Sequence, residues 1–240
     1  MFIKSLSIIT VVFNDAINLE NTIKSLLLQD LSKCELIVID GGSSDDTIKV
    51  IEKYSYLVDV FISEQDEGIY DAMNKGIKLA TSDWITFLNA GDIYTSSNLL
   101  KTVTDEMGSL VDKNLIVIDF IKNGITHSPV LNIKYLIGNM ICHQSLFYHQ
   151  SLFSRYKYDL RYKISADYLH LLNVWSQVKI KYLNQVSVSY LGGGFSESEN
   201  LVYLHRIERI NAITQSNLYW PLNKLIVLIL KAKLFLSSKC

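Results

Sequence analysis

The chain has 240 residues, of which 49% are hydrophobic and 20% charged, and its formal net charge is −1. This composition is that of a globular protein with a sizeable core, and it excludes a disordered chain. The balanced charge offers no concentrated basic surface, so we expect no nucleic-acid partner. Three widely spaced cysteines without a CxxC pair, and an N-terminus without a signal-peptide pattern, favour a reducing, cytoplasmic setting.

The first half of the chain alternates strand-like apolar runs with helical patterns. Strands are predicted at 6–13, 35–39, 58–62 and 84–88. Helices are predicted at 19–28 and 46–54, and a third through the apolar positions Ile69, Met73, Ile77 and Ala80. Such alternation predicts an α/β fold with a mostly parallel central sheet flanked by helices.

The alternation weakens after Asp92. The remaining predicted elements are a helix at 97–107, a strand at 115–121, an irregular stretch to 139, a strand at 145–148, a helix at 166–174 and a strand at 186–191. The last strand stops at Gly192-Gly193-Gly194, which predicts either a flexible loop or a simple hairpin turn, because glycine tolerates positive φ. We expect one domain over 1–200 and a C-terminal helical extension over 201–240.

Acidic residues recur in four segments, three of which follow apolar runs. The segments are Asp40–Asp46, Asp66–Asp71, Asn89–Asp92 and Ser165–Asp167. Ligands of α/β proteins bind at the carboxyl ends of strands, which is where the first three segments are predicted to lie. The Asp40 carboxylate could accept a hydrogen bond from the imide N–H of uracil, and Asp92 could bind a hard divalent cation that bridges a diphosphate. The alternative for each is an ordinary turn or a helix cap.

The segment from Asp66 to Gly76 has two interpretations of the same kind. Asp71 and Lys75 are four positions apart, a spacing that allows a surface ion pair on a helix. Alternatively, Asp66 and the first turn of this helix border the sugar and phosphate side of a nucleotide-sugar pocket.

Four motifs follow one another along the chain: Thr-Val-Val-Phe-Asn (10–14), Asp-Gly-Gly-Ser-Ser-Asp-Asp-Thr (40–47), Asp-Glu-Gly-Ile-Tyr-Asp-Ala-Met-Asn-Lys-Gly (66–76) and Asn-Ala-Gly-Asp (89–92). In this order they resemble the family 2 glycosyltransferases of the GT-A fold, and most of all the bacterial enzymes that build O-antigen or capsule repeat units. The resemblance covers about residues 5–195. It implies a Rossmann-like GT-A fold, a UDP-sugar donor, Mn²⁺ or Mg²⁺, and inversion at the anomeric carbon.

The resemblance also implies roles for particular residues. Asp40 matches the acid that recognises the base, Asp66 lies near the ribose or sugar, and Asp92 matches the metal-binding aspartate. The other residues implied at the donor are Thr10, Phe13, Asn14, Gly41, Gly42, Ser43, Tyr70, Asn74, Lys75, Asn89, Ala90 and Gly91. Asn89 stands where the family usually has the first acid of D-x-D, so a neutral oxygen replaces a carboxylate and metal binding is expected to be weaker.

Asp167 matches the catalytic base of the family, which removes a proton from the acceptor hydroxyl. Its alternative role is that of a first-turn acid stabilised by the helix dipole. The resemblance places His143 and Arg161 on the acceptor side, and Gly193 and Ser196 in a loop that closes over the donor. A hydrogen-bonded structural role is the alternative for His143, and a solvated loop is the alternative for Arg161.

The C-terminal segment is basic and apolar. From 211 to 240 it has four lysines and no acid around the run Leu225–Leu230, which is too short for a span of about 20 apolar residues. It predicts either a helix on the anionic inner face of the cytoplasmic membrane or packing against the domain or a second subunit.

The combined expectation is an inverting hexosyltransferase. It would transfer a glucose- or galactose-type hexose from a UDP-sugar to an undecaprenyl-diphosphate-linked saccharide in surface polysaccharide synthesis. A non-catalytic nucleotide-sugar-binding or assembly protein of the same fold is the alternative, and Asn89 is its best argument. A nucleotidylyltransferase is disfavoured, because residues 10–20 contain neither a Gly-rich loop nor Arg or Lys.

Overall fold

A computed structural model describes residues 4–139, 142–190 and 201–216 of the chain. In these residues the strands are β1 (Leu6–Val12), β2 (Cys34–Asp40), β3 (Val60–Ser63), β4 (Trp84–Phe87), β5 (Ile93–Tyr94), β6 (Leu115–Lys122), β7 (Ile125–His127), β8 (Leu146–His149) and β9 (Ile180–Tyr190). The helices are α1 (Ala16–Leu26), α2 (Thr47–Lys53), α3 (Ile69–Leu79), α4 (Leu99–Met107), α5 (Ile133–Gly138), α6 (Ala166–Val174) and α7 (Val202–Gln215). The strands form a nine-stranded sheet, and the predicted α/β class is confirmed.

The first four strands form a parallel half-sheet in the order β3-β2-β1-β4. All seven residues of β1 and of β2 are buried, as expected for strands that are covered by helices on both faces. Val12 pairs with Asp40, so both strands end at the same edge of the sheet. All four strands lie within two residues of their predicted positions, and the first acidic segment begins at this edge.

The other strands make the second half of the sheet mixed. β8 is antiparallel to both β4 and β6, and β9 is parallel to β6 but antiparallel to β5. The stretch up to 139, predicted to be irregular, contains the short hairpin strand β7 and α5. β9 begins at Ile180, six residues before its predicted start. The sheet is therefore parallel only in part.

Two hydrophobic clusters cover the two faces of the sheet. One contains Ile9 and Met73 and joins the sheet to α3, α6 and α7, and the other contains Ile8 and Leu19 and joins it to α1 and α4. α3 approaches closely at Gly76, where a Cβ would lie 2.4 Å from Cγ2 of Ile9. Helix α7 packs against α6, so the described part of 201–240 belongs to the core.

No helix in the described ranges combines the length and the apolar character that a membrane crossing requires. The basic, apolar run after Ser216 lies outside the described residues.

Candidate active site

The first acidic segment is a tight loop whose central acceptor is Asp40. Asp40 is fully buried at the end of β2. Its carboxylate accepts hydrogen bonds from the backbone N–H of Gly42 (3.2 Å) and of Ser43 (3.0 Å) and from the hydroxyls of Ser43 and Ser63. Gly42 has φ 83°, a conformation that glycine adopts without a Cβ penalty. Asp40 therefore shapes this loop, and recognition of a base by Asp40 stays a prediction.

The loop after β1 lies against this loop. The backbone N–H of Asn14 donates to Oγ of Ser43 at 2.7 Å. The ring of Phe13 is 61% exposed beside Gly41. A Cβ on Gly41 would lie 2.5 Å from a carboxylate oxygen of Asp66 and 3.3 Å from the Phe13 ring, so a larger residue here would displace the Asp66 carboxylate. The structure thus brings together an exposed aromatic face, a bare backbone and a carboxylate.

The third acidic segment is a turn that α1 holds in place. The hydroxyl of Thr22 accepts a hydrogen bond from the backbone N–H of Gly91 at 2.9 Å. The same hydroxyl lies 3.2 Å from the carbonyl oxygen of Asn89 and 2.9 Å from that of Asp92, and can donate to either. The side chains of Asn89 and Asp92 are buried. The backbone from which they extend is contacted at three atoms by the Thr22 hydroxyl.

Two consecutive residues of the 3-10 turn His143–Ser145 connect this segment to the fourth one. Nε2 of His143 lies 3.1 Å from Nδ2 of Asn89, and Nδ1 lies 3.2 Å from Oδ2 of Asp167. An amide nitrogen can only donate, so Nε2 accepts and the imidazole proton on Nδ1 donates to Asp167. The next residue, Gln144, donates from its amide to Oδ2 of Asp92 at 2.9 Å. One turn therefore orients both carboxylates.

Asp167 lies in the first turn of α6 and is 8% exposed. Its Oδ1 accepts hydrogen bonds from the Tyr70 hydroxyl (2.8 Å) and from the backbone N–H of Tyr168 (2.8 Å). Burial by itself raises the pKa of Asp167, but the hydrogen bonds from His143 and Tyr70 outweigh it and hold the pKa below its ordinary value. Asp167 is therefore a carboxylate at neutral pH.

Two residues of α3 that were predicted at the donor have partners within the protein. Tyr70 is buried, and its hydroxyl lies 2.7 Å from the carbonyl oxygen of Ile164 as well as contacting Asp167. The amide of Asn74 donates to the carbonyl oxygen of Tyr158 at 2.8 Å and accepts from its N–H at 3.0 Å. The Tyr70 contact connects α3 to the fourth acidic segment, and donor binding by either residue stays a prediction.

Two of the predicted basic residues are in ion pairs. Nζ of Lys75 lies 2.9 Å from Glu64 and 3.2 Å from Asp71, which is the i, i+4 pair expected as the alternative for this helix. Nε of Arg161 donates to Asp159 at 2.9 Å in an exposed loop. A role of either cation toward a phosphate stays a prediction.

Of the other residues predicted at the donor or in the closing loop, some lie within the described ranges and some outside them. Thr10 is buried on β1, and its hydroxyl has no hydrogen-bond partner among the described residues. The backbone N–H of Ala90 donates to the carbonyl oxygen of Val11 at 3.2 Å. Gly193 and Ser196 lie outside the described residues.

The oxygen ligands available to a metal ion are few. The described ranges hold no group of three or more His, Cys, Asp or Glu side chains that could bind a metal. Oδ1 of Asn89 is a buried oxygen without a hydrogen-bond partner in the described part of the chain, and Asp92 offers a carboxylate three positions later. A hard divalent cation accepts one neutral and one anionic protein oxygen when a diphosphate and water complete its shell. The residues present therefore fit Mn²⁺ or Mg²⁺.

Sequence reasoning missed two residues that hold the site. Thr22 fixes the third segment from α1, and Gln144 orients Asp92. Gln144 directly follows the predicted site residue His143, whereas Thr22 gives no signal, because its partners are about 70 positions away.

The fold and the site define an α/β protein that gathers polar loops at the carboxyl edge of a parallel half-sheet. Comparison with known families agrees: Glycosyl transferase family 2 matches residues 7–158. This chain belongs to that family.

Known proteins extend the comparison. A PGL/p-HBAD biosynthesis glycosyltransferase of Mycobacterium tuberculosis is 30% identical over 148 residues, which are 59% of this chain and 58% of that protein. This chain thus matches less than two thirds of that relative.

Solved structures share the fold at low identity. S. aureus TarS 1–349, in complex with UDP-GlcNAc, superposes with a TM-score of 0.71 at 17% identity, covering 93% of this chain and 70% of the 1–349 chain. The mannosyltransferase PcManGT of Pyrobaculum calidifontis, with GDP-Man and Mn²⁺, has a TM-score of 0.72 at 14% identity, covering 97% of this chain and 70% of PcManGT. The expected GT-A fold is confirmed.

Proposed function

We propose that this protein is an inverting, metal-assisted glycosyltransferase that transfers a hexose from a UDP-sugar to an undecaprenyl-diphosphate-linked saccharide. The observation that carries the proposal is the hydrogen-bonded connection from Asp167 through His143 to Asn89. It joins a buried carboxylate to the turn that follows β4, which is where the donor diphosphate would lie. Structures of the same fold with UDP-GlcNAc or GDP-Man support a nucleotide-sugar donor.

Asp167 has the properties of a base for a single displacement. It is ionised at neutral pH and can accept the proton of the acceptor hydroxyl as that oxygen bonds to the anomeric carbon. The electron pair of the bond between the anomeric carbon and the diphosphate leaves with the diphosphate. Attack on the face opposite the leaving group inverts the configuration at that carbon.

The donor side is built for a flat base and a diphosphate. The exposed Phe13 ring offers a stacking surface, and the bare backbone at Gly41 allows close approach beside Asp66. Asn89 and Asp92 would hold the divalent cation, which supplies neutralisation of the charge on the departing diphosphate. Because Asn89 is neutral, we expect weaker cation binding than a pair of carboxylates would give.

The lipid-linked acceptor and the membrane location rest on the C-terminal segment. Four lysines and no acid around an apolar run favour a helix on an anionic lipid surface. Deletion of residues 221–240 should abolish pelleting with anionic vesicles. Undiminished pelleting of the shortened protein would exclude this segment as the anchor and leave subunit contact as its role.

A donor screen tests the proposal. The purified protein is incubated with UDP-glucose, UDP-galactose, their N-acetyl forms and GDP-mannose, with Mn²⁺ or Mg²⁺ and a polyprenyl-diphosphate saccharide. We expect acceptor-dependent UDP release with one UDP-hexose and a product of inverted configuration. Asp92→Asn should weaken the response to the cation, whereas the surface control Asp105→Asn should not.

The screen also separates the alternative function. Asn89, in place of the usual first acid, is the observation that favours a non-catalytic nucleotide-sugar-binding protein. If a UDP-sugar binds but no donor is turned over with any acceptor and cation, the catalytic proposal is wrong and the binding function is favoured.

A further inference from the structure

A buried glutamate on the C-terminal helix contacts the backbone just before the proposed base. Glu208 lies on α7 and is 6% exposed. Its carboxylate accepts hydrogen bonds from the backbone N–H groups of Lys163 (2.7 Å), Ile164 (2.9 Å) and Ser165 (2.9 Å). These residues immediately precede α6, whose first turn contains Asp167. Glu208, which lies outside the predicted 1–200 domain, thus binds the backbone that leads into α6.

Electrostatics explain why a carboxylate stands there. The dipole of α6 makes the region just before its N-terminus electropositive, and the backbone N–H groups of 163–165, which lie there, need an acceptor. The two oxygens of Glu208 satisfy three N–H groups at once, in a buried place where water competes little. A glutamine has one oxygen and would turn an amide N–H toward at least one of these donors.

The same backbone is held from the opposite side. The Tyr70 hydroxyl lies 2.7 Å from the carbonyl oxygen of Ile164 and 2.8 Å from Oδ1 of Asp167. Glu208 therefore fixes the N–H of Ile164, and Tyr70 contacts the carbonyl of the same residue. Helix α7 is itself anchored, because Ala212 and Ile213 are buried in the core cluster shared with α3 and α6. Helices α3 and α7 therefore both contact the backbone that leads into Asp167.

We infer that Glu208 is a positioning residue for the transfer reaction: by binding the N–H groups of 163–165, it sets the Asp167 carboxylate where it meets the acceptor hydroxyl. The inference rests on the proposed function, since it assigns Glu208 a task relative to Asp167 as base. It makes α7 a structural support of the active site.

The test uses the full chain with Glu208→Ala, Glu208→Gln and the control Ile210→Ala, which removes buried apolar packing from the same helix. The readouts are kcat, donor KM, thermal stability, and amide hydrogen exchange at 163–165. For Glu208→Ala we expect kcat to fall about thirtyfold with donor KM nearly unchanged, because misplacement of a catalytic group costs rate more than binding. Exchange at 163–165 should be faster, and Glu208→Gln should be intermediate in both.

The control separates positioning from stability. Ile210→Ala should lower thermal stability yet leave kcat within about twofold of wild type below its unfolding transition. If Glu208→Ala does not fold, the same comparison is made with Glu208→Gln. The inference is overturned if exchange at 163–165 rises without loss of kcat, or if Ile210→Ala loses kcat as much as the Glu208 variants. Failure of the proposed function gives a different result: wild type itself transfers no sugar, while exchange still reports on the Glu208 contacts.

Discussion

The two halves of the site hold their carboxylates in different ways. Asp40, on the donor side, is bound by its own loop and by Ser63, which follows within 23 positions. Asp167, on the acceptor side, is bound by Tyr70, which is 97 positions away, and by His143 from a separate turn. The position of Asp40 thus comes mainly from local turn chemistry, whereas that of Asp167 comes from the packing of distant elements. Substitutions should therefore affect folding and donor binding in the first half, and transfer rate in the second.

The largest effect on stability is expected for Asp40→Ala. The change removes the buried acceptor of two backbone N–H groups and two hydroxyls that belong to partly exposed residues. We expect the free energy of unfolding to fall by about 3 kcal/mol, because four hydrogen bonds to one carboxylate are lost and water replaces them only in part. Urea unfolding measures the loss. Ser63→Ala, which removes one donor and keeps the acceptor, should cost about 1 kcal/mol, and equal losses would show that the loop does not depend on Asp40.

His143→Ala tests the acceptor half. Without the imidazole, Asp167 loses one of its three side-chain and backbone donors, and kcat should fall about thirtyfold, or about 2 kcal/mol in the barrier. The affinity for UDP should stay within about threefold of wild type. The matched control is His149→Ala at the end of β8, which contacts Ser151 and lies outside the site. Parallel losses of UDP affinity and kcat would break the division between the halves, because His143 would then serve the donor.

Gly41→Ala tests the donor half at a smaller scale. The new Cβ would lie 2.5 Å from the Asp66 carboxylate and force it to move. We expect donor KM to rise about tenfold, or about 1.4 kcal/mol, with kcat at saturating donor within about threefold of wild type. Gly108→Ala, whose Cβ would meet a backbone oxygen at an ordinary 3.6 Å, is the control. A change confined to kcat would contradict the assignment of Gly41 to donor binding.

We expect the acceptor half of the site to make the stability of the protein sensitive to acid. His170 is a buried residue of α6 and stacks on Phe153 with ring centroids 4.3 Å apart. Burial lowers the pKa of His170 from 6.5 to about 4. Below the pKa that His170 has in the unfolded chain, only the unfolded state takes up a proton at this residue. Stability therefore decreases as the pH falls, and the loss is complete near the pKa of His170 in the folded protein.

Near neutral pH, the change in stability caused by His170 should be smaller than the effects expected for the Asp40, His143 and Gly41 variants. Between about pH 7 and about pH 5.5 the free energy of unfolding should fall by about 1 kcal/mol from this residue. Urea unfolding at several pH values measures the slope, and His170→Phe should flatten it. An unchanged slope in the variant would place the acid-sensitive group elsewhere.

The same division explains what the sequence could predict. β1 to β4 were located within two residues because buried parallel strands read as continuous apolar runs. The acidic segments were found because turn residues follow those runs. β5, β7 and α5 have at most six residues each and show no clear period, so they were missed.

Contacts between distant residues account for the other omissions. Thr22, Gln144 and Glu208 act on partners that lie about 40 to 70 positions away, and no local pattern marks them. Tyr70 was identified as a site residue, but its contact with Asp167 required the structure. The motifs predict the residues that carry the chemistry, whereas the residues that orient them can be identified only from tertiary contacts.

The central claim is that Asp167, held by distant elements, removes the proton of the acceptor. The direct test is the transfer rate of Asp167→Asn at saturating donor, with UDP-sugar affinity measured on the same protein. The account predicts a loss of about a thousandfold in kcat with affinity within about twofold of wild type, the range expected for loss of a general base. Full transfer by Asp167→Asn would contradict it.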